Sequence, residues 1–449
     1  MVDLMVNEQR SGTAGQDVPA GYKLTEVGVI PEDWVVISID DCTTKVGSGK
    51  TPTGGASVYI DSGRPFVRSQ NVDWGRLDLA DVVHITDETH NTFSGSEIQQ
   101  DDVLLNITGA SIGRCAKADF RVIGGNVNQH VCIIRTEAKK LSPSLLVELI
   151  NSNYGQNQID SYQAGGNREG LNFSQVKNLT FAITPNSFEQ TEIVRTLNDI
   201  NAFTLALENL IAKKQAIKAA AMQQLLTGKT RLPQFALRKD GSAKGYKKSE
   251  LGEIPEDWNC INLGELGNCI IGLTYKPEDT SDYGTLVLRS SNIQNNHLAY
   301  DDNVFVSIEP PERTIVKEGD ILVCVRNGSR QLIGKCALID KNAQGSAFGA
   351  FMSVFRTDIY GFTFHQFQSD IIQKQIAEVM GATINQITNK DMLGFKIPLP
   401  ENTEEQAAIA AILSDMDKEI QILQQRLDKT RQLKQGMMQE LLTGKIRLI

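Results

Sequence analysis

Two glycine-flanked stretches of this 449-residue chain carry side chains suited to reading a flat, polar ligand. One is Gln163-Ala164-Gly165-Gly166-Asn167-Arg168-Glu169-Gly170, and the other is Val325-Arg326-Asn327-Gly328-Ser329-Arg330-Gln331. A guanidinium is a planar fork of donors, and a side-chain amide sets a donor beside an acceptor. These groups pair bidentately with base edges, Arg or Lys with guanine and Asn or Gln with adenine. Similar residues recur at Arg68, Gln70 and Asn71, at Arg289 and Asn292, and at Asn385 and Gln386, with Thr108 and Ser111 as small hydroxyls. Each could equally form a turn, a cap or an internal ion pair. Arg68 and Arg289 sit in stretches that the chain carries twice, which assigns them to phosphate contact or to support of the fold. Arg168, Arg326 and Arg330 lie where the two stretches differ, and are better placed to choose a base.

Other chemistries find little support. Gly47-Ser48-Gly49-Lys50-Thr51 imitates the end of a phosphate-binding loop, but the required earlier glycine is Thr44, and Pro52 follows at once. There is no Asn-Pro-Pro-Tyr motif of an amino-methyltransferase, no GxGxxG after a strand, and no His/Cys spacing that suits a metal. The seven cysteines form no CxxC pair, which fits reduced thiols in a cytoplasmic protein. No apolar run approaches the ~18 residues of a membrane span, and the N-terminus has no basic start with an apolar stretch behind it. The net charge of −9 counts against a self-sufficient nucleic-acid binder. Lys213, Lys214, Lys218, Lys229 and Arg231 nevertheless cluster with no acid among them. Either a local basic face exists or partners supply the phosphate clamp.

These candidates need positioning, and the chain says nearly everything about that twice. Residues 21–34, GYKLTEVGVIPEDW, return as GYKKSELGEIPEDW at 245–258, and MQQLLTGKTRL at 222–232 returns as MQELLTGKIRL at 438–448. Between these bookends the copies diverge. Short β-branched runs such as Val131–Ile134 and Ile321–Val325, separated by Gly, Asn, Asp and Ser, predict mixed strand-and-turn domains. Each is followed by a long helix, over about 188–226 and 403–442, closed by Gly228 and by Gly444. Ile193, Leu197, Ile200, Thr204, Leu207, Ile211, Lys214, Lys218, Ala221 and Leu225 form a heptad seam on the first. The second repeats it 216 residues later, from Ile409 to Leu441, with Thr430 and Lys434 opposite in kind to their apolar neighbours. Ile217 and Leu433, one position aside, are expected to take over where lysine interrupts the seam.

The expected divisions are a loose tail at 1–20, mixed domains at 21–187 and 246–400, helical spacers at 188–232 and 401–449, and a linker at 233–245. Paired helices with this connectivity must run antiparallel. The end of the chain near Gly444 should then return to the neighbourhood of Gly21, and the halves should be related by a pseudo-twofold. Helices of ~40 residues span ~60 Å.

Gly28-Val29-Ile30-Pro31-Glu32-Asp33-Trp34 and Gly252-Glu253-Ile254-Pro255-Glu256-Asp257-Trp258, the Pro185/Glu189-Gln190 and Pro398-Leu399-Pro400/Glu405-Gln406 segments, and Leu-Leu-Thr-Gly-Lys at 225–229 and 441–445 occur in this order in both halves. With them the chain resembles the specificity subunits of type I restriction–modification enzymes over nearly its whole length. The resemblance implies an α+β fold: two mixed α/β target recognition domains in pseudo-twofold arrangement, joined by two long antiparallel coiled-coil helices. It implies that each domain reads half of a split target in double-stranded DNA. The helices would set the gap and dock two modification (methyltransferase) subunits, to which restriction (translocase/nuclease) subunits add. S-adenosylmethionine would belong to the modification subunit, ATP and Mg to the restriction subunit, and no cofactor, metal or catalytic residue to this chain. Docking candidates are Leu210, Ile217 and Leu433, with Leu225, Leu226, Lys229, Leu441, Leu442 and Lys445 of the turns expected to be exposed. The competing reading is a non-catalytic adaptor whose domains bind proteins.

Overall fold

The computed structural model describes residues 18–163, 170–380 and 385–448. The chain divides into two compact units, Met1–Ala206 with Leu427–Ile449, and Leu207–Arg426. The tail expected at 1–20 lies, as far as residue 17, outside the described residues.

In the first unit the central sheet has four antiparallel strands in the order Cys115–Lys117, Val103–Asn106, Val131–Thr136 and Thr43–Ser48. Residues 103–105 and 131–134 of its middle strands are apolar without a break because both faces are covered. Successive side chains point to opposite faces, so Val103, Leu105, Cys132 and Ile134 enter one core while Leu104, Val131 and Ile133 enter another. A three-stranded sheet sets Arg64–Val67 between Asn126–Val127, parallel to it, and Val83–Ile85, antiparallel. Helices Pro143–Asn151 and Asn153–Gln163 follow. Val35–Ser38 and Thr180–Ile183 then pair beside the exit of the first long helix, Ser187–Leu225.

The second unit repeats this plan. Gly267–Ile271, Met352–Thr357, Ile321–Cys324 and Cys336–Leu338 make its four-stranded sheet. Ile321 and Val323 again face one core, and Leu322 and Cys324 the other. Asp102 with Arg135 in one sheet, and Asp320 with Arg356 in the other, form matched ion pairs at 2.7 Å. The second long helix is Thr403–Leu441. The stretch read as a linker is closed by a bridge between Leu237 and Ala243 and tied down by Arg238 to Glu256 at 2.7 Å.

The bookends form a clamp in each unit. In the second, Arg231 lies against Asp257 at 2.8 Å, Glu405 at 2.7 Å and the ring of Trp258. In the first, Arg447 lies against Asp33 at 2.8 Å, Glu189 at 2.6 Å and Trp34. The segment that follows each long helix is thereby locked to a Pro-Glu-Asp-Trp element and to the first turn of the other long helix. The expected return of the chain is seen where Tyr22 donates its hydroxyl hydrogen to the carbonyl of Gly444, 3.4 Å away. Gly228 and Gly444 both adopt φ +71°, and a Cβ would meet the ring of Pro255 at 2.5 Å or of Pro31 at 2.6 Å. Conformation and space both demand glycine there.

Every seam position of both helices is buried or half-buried, as the heptads require. Two expectations are corrected. Ile217 and Leu433 do not take over the seam but are 44% and 58% exposed. The lysines stay: Lys218 is buried in an ion pair with Asp417, and Lys214 meets Glu419 at 2.7 Å. Leu225, Leu226, Leu441 and Leu442 are not exposed on the turns, because they fill the two main cores beside the clamps.

Candidate nucleic-acid interface

In each unit four separate pieces of chain converge at one end of the central strands. The first piece is a tight turn after a strand. In Arg68-Ser69-Gln70-Asn71 the Asn71 amide oxygen accepts from the Arg68 N–H at 3.0 Å, and its NH2 donates to the Asp78 carbonyl at 2.9 Å and to Asp81 at 2.8 Å. Arg68 donates to the Asp81 carbonyl at 2.8 Å, and Gln70 donates to the Asp81 carboxylate. Asp81 thus gathers all three candidates. The second domain repeats the device: Asn292 accepts from the Arg289 N–H at 2.9 Å, and Arg289 pairs with Asp302 at 2.9 Å. Asn71 and Asn292 are fully buried, so their side chains build the turn and present no edge to a ligand. Both arginines are partly exposed beside it.

The second piece leaves the end of a central strand. In the first domain the buried Asn106 donates to the Ser69 carbonyl at 2.8 Å and to the Ser111 hydroxyl at 3.1 Å, which fastens the loop 107–113 to the turn. In the second, Asn327 donates to the Ser290 hydroxyl at 3.1 Å and ties the loop 325–330 to the equivalent turn. Arg326 and Arg330 are exposed on that loop.

The third piece is the turn before the next central strand, ending in His130 or in Phe351. Thr108 Oγ1 lies 2.5 Å from His130 Nδ1, and the Arg326 guanidinium lies 5.2 Å from the centre of the Phe351 ring. The fourth piece closes the site. Thr108 bridges to Gly170, whose N–H donates to Gln163 at 3.0 Å. Arg326 bridges to Gln386, and Asn385 donates to the Gly328 carbonyl at 2.9 Å. Asn167 and Arg168 lie outside the described residues.

Sequence reasoning missed Asp81, His130 and Phe351. The last two could have been found from the Arg-Thr pair that ends the matched strands at 135–136 and 356–357, since it aligns His130 with Phe351. Neither is among the Arg, Lys, Asn and Gln types sought for bidentate pairing with base edges.

Of the two readings of the basic cluster at 213–231, the local basic face is weakened. Lys214, Lys218 and Arg231 are committed to carboxylates within the chain, leaving Lys213 and Lys229 exposed. Burial alone would raise the Asp257 carboxyl, but the hydrogen bonds of Arg231 and Lys244 outweigh it and hold it at about 2. Among the described residues no three His, Cys, Asp or Glu side chains are grouped to hold a metal ion, and no helix is long and apolar enough to cross a membrane.

Residues 31–219 and 255–432 both match the model of the type I restriction modification DNA specificity domain. The chain belongs to this family. The putative type I restriction enzyme MjaX specificity subunit of Methanocaldococcus jannaschii is 27% identical over 441 residues, which is 95% of this chain and 97% of the relative. The MjaVIII specificity subunit of the same organism is 23% identical over 427 residues, covering 93% of this chain and 94% of the relative. A solved type I restriction-modification S subunit from M. genitalium superposes with a TM-score of 0.57 at 15% identity, over 91% of this chain and 96% of its own, and supports the fold. As a type I specificity subunit with two specificity domains, the chain is of a non-catalytic class.

Proposed function

We propose that each recognition domain reads one half of a bipartite target in double-stranded DNA, and that the long helices set the gap and dock two modification subunits. The observation that carries this reading is the twin construction of the candidate sites. The same buried asparagine, the same arginine-to-aspartate tie and the same bridge to the fourth piece recur in both domains. The side chains they display differ: hydroxyl and imidazole in one, guanidinium and phenyl in the other. A constant frame with varied contents suits a pair of readers with different half-sites.

Leu210, Ile217 and Leu433, exposed on the long helices, are the apolar contacts offered to the modification subunits, with Lys229 and Lys445 exposed on the turns. S-adenosylmethionine would be held by those subunits, and ATP and Mg by restriction subunits. None would be held by this chain.

The test is selection from random duplex DNA by the full chain together with its modification subunits. The expected product is a split motif with a fixed gap. Replacing residues 47–185 by the same region of a relative should change one half of that motif and leave the other half and the gap alone. Sequence-blind capture would instead favour a protein-binding adaptor.

A further inference from the structure

The two domains carry different chemistry at one and the same pair of backbone positions. The Ile107 N–H donates to the His130 carbonyl at 3.0 Å, and the Val325 N–H to the Phe351 carbonyl at 3.1 Å. The Leu171 N–H donates to the Ile107 carbonyl at 2.8 Å, and the Ile387 N–H to the Val325 carbonyl at 2.9 Å. Thr108 and Arg326, each one residue further on, both bridge to the fourth piece. Register and hydrogen bonding therefore make Thr108 equivalent to Arg326, and His130 equivalent to Phe351.

We infer that this matched pair is where each domain selects a base, and that Arg326, held against Phe351, reads a guanine in the half-site of the second domain. The inference rests on the DNA reading proposed above and assigns its specificity-determining residues. Arg326 is exposed on a loop whose backbone is fixed on both sides, and its guanidinium carbon lies over a ring, 5.2 Å from the centre, that is itself 57% exposed. An aromatic face attracts the cation electrostatically, so the ring holds the fork near one place and leaves it less freedom to lose on pairing. A restrained fork matches the O6 and N7 acceptors of guanine in the major groove. Arg68 and Arg289 differ in kind: each is tied to an aspartate at the shared turn, as a group that positions the frame rather than choosing a base. In the first domain the same place offers the Thr108 hydroxyl and the His130 ring, which provide no such fork.

The bipartite target contains its own control. The full chain with its modification subunits is selected on random duplex DNA, and base preference is read position by position. Arg326→Gln should erase a guanine preference at one position of one half-site by roughly five- to a hundredfold, with the other half-site unchanged. Arg326→Lys keeps the charge but loses the fork, and should lose most of that preference. Phe351→Leu should weaken it at the same position, by less. Grafting Thr108→Arg with His130→Phe should install a guanine preference in the other half-site. Retention of the untouched half-site shows that each variant is folded. If Arg326→Gln weakens all sequences alike, or Arg326→Lys restores full preference, Arg326 touches phosphate and the assignment is overturned while the split motif stands. If the wild-type chain returns no split motif, the DNA reading itself fails and takes this assignment with it.

Discussion

His365 is fully buried where the second recognition domain meets the helix seam. Its Nε2 lies 3.1 Å from the Ser414 hydroxyl, and its Nδ1 is 3.9 Å from the Asp417 carboxylate. Burial, reinforced by the charge of Lys218 and opposed by that of Asp417, pushes the imidazole down to about 4. The unfolded imidazole takes up its proton near 6.5, the folded one only near 4. Stability is therefore complete above pH 6.5 and lost as the pH falls from there towards 4, by roughly 3 kcal/mol over the window. Urea unfolding of the full chain at pH 7 and at pH 4.5 should show this loss, and His365→Asn should show less of it. Equal losses in the two proteins would mean that the imidazole is not held neutral. The first unit solves the same problem with the charges exchanged. Lys434 faces Glu148 there, and Asn201, which donates to Glu148 at 3.4 Å, stands where Asp417 stands in the second unit. A heptad pattern showed that both lysines interrupt an apolar seam. It could not show which partners neutralise them, because these come from helices far away in sequence.

At the scale of elements, the clamps decide where each long helix ends. Arg231 is 7% exposed and Glu405 1%, so removing the guanidinium leaves a carboxylate buried without its cation. Arg231→Met should cost about 3–5 kcal/mol, the usual result of breaking a buried pair from one side. Arg447→Met strips the equally buried Glu189 of its cation, but it should cost somewhat less. Arg447 is 24% exposed against 7% for Arg231, and Asp33 57% against 26% for Asp257, so water reaches the first clamp more easily. Urea midpoints of the two variants provide the comparison, and a larger loss for Arg447→Met would contradict the burial argument. The elements themselves were largely legible: the β-branched runs between turn residues, the heptads and the closing glycines marked strands and helices close to where they lie. The repeated bookends announced a shared frame, and connectivity foretold that the end of the chain returns to its beginning. The leucine pairs were misjudged because a turn motif ending in Gly-Lys looks exposed, whereas the clamp draws its first two residues into the core. At the candidate site, residue type did not disclose placement: Asn71 and Asn292, sought for their amide edges, shape the turn, while Phe351, silent by type, lies against the guanidinium of Arg326.

At the scale of the whole molecule, the compact units do not coincide with the two halves of the sequence. The first long helix belongs to one unit as far as Ala206 and to the other from Leu207, and the second changes unit between Arg426 and Leu427. Each unit is therefore completed by helix segments from both halves of the chain, and duplication of the bookends is what makes the two completions alike. In the second unit the helix segments run antiparallel, since Lys218 pairs with Asp417 and Lys214, four residues earlier, with Glu419. A change in helix length must then be made in both helices to keep the seam in register. Inserting one heptad after Ala206 and a second after Arg426 adds about 10 Å to each helix, which is about three base pairs of duplex at ~34 Å per turn. On the proposed reading, selection from random DNA should return both original half-sites with a gap about three base pairs longer. A heptad in only one helix slips the seam by two turns and should abolish selection. Should the matched insertions leave the gap unchanged, the long helices would be joints rather than rulers, and the spacing would have to be set by the docked subunits.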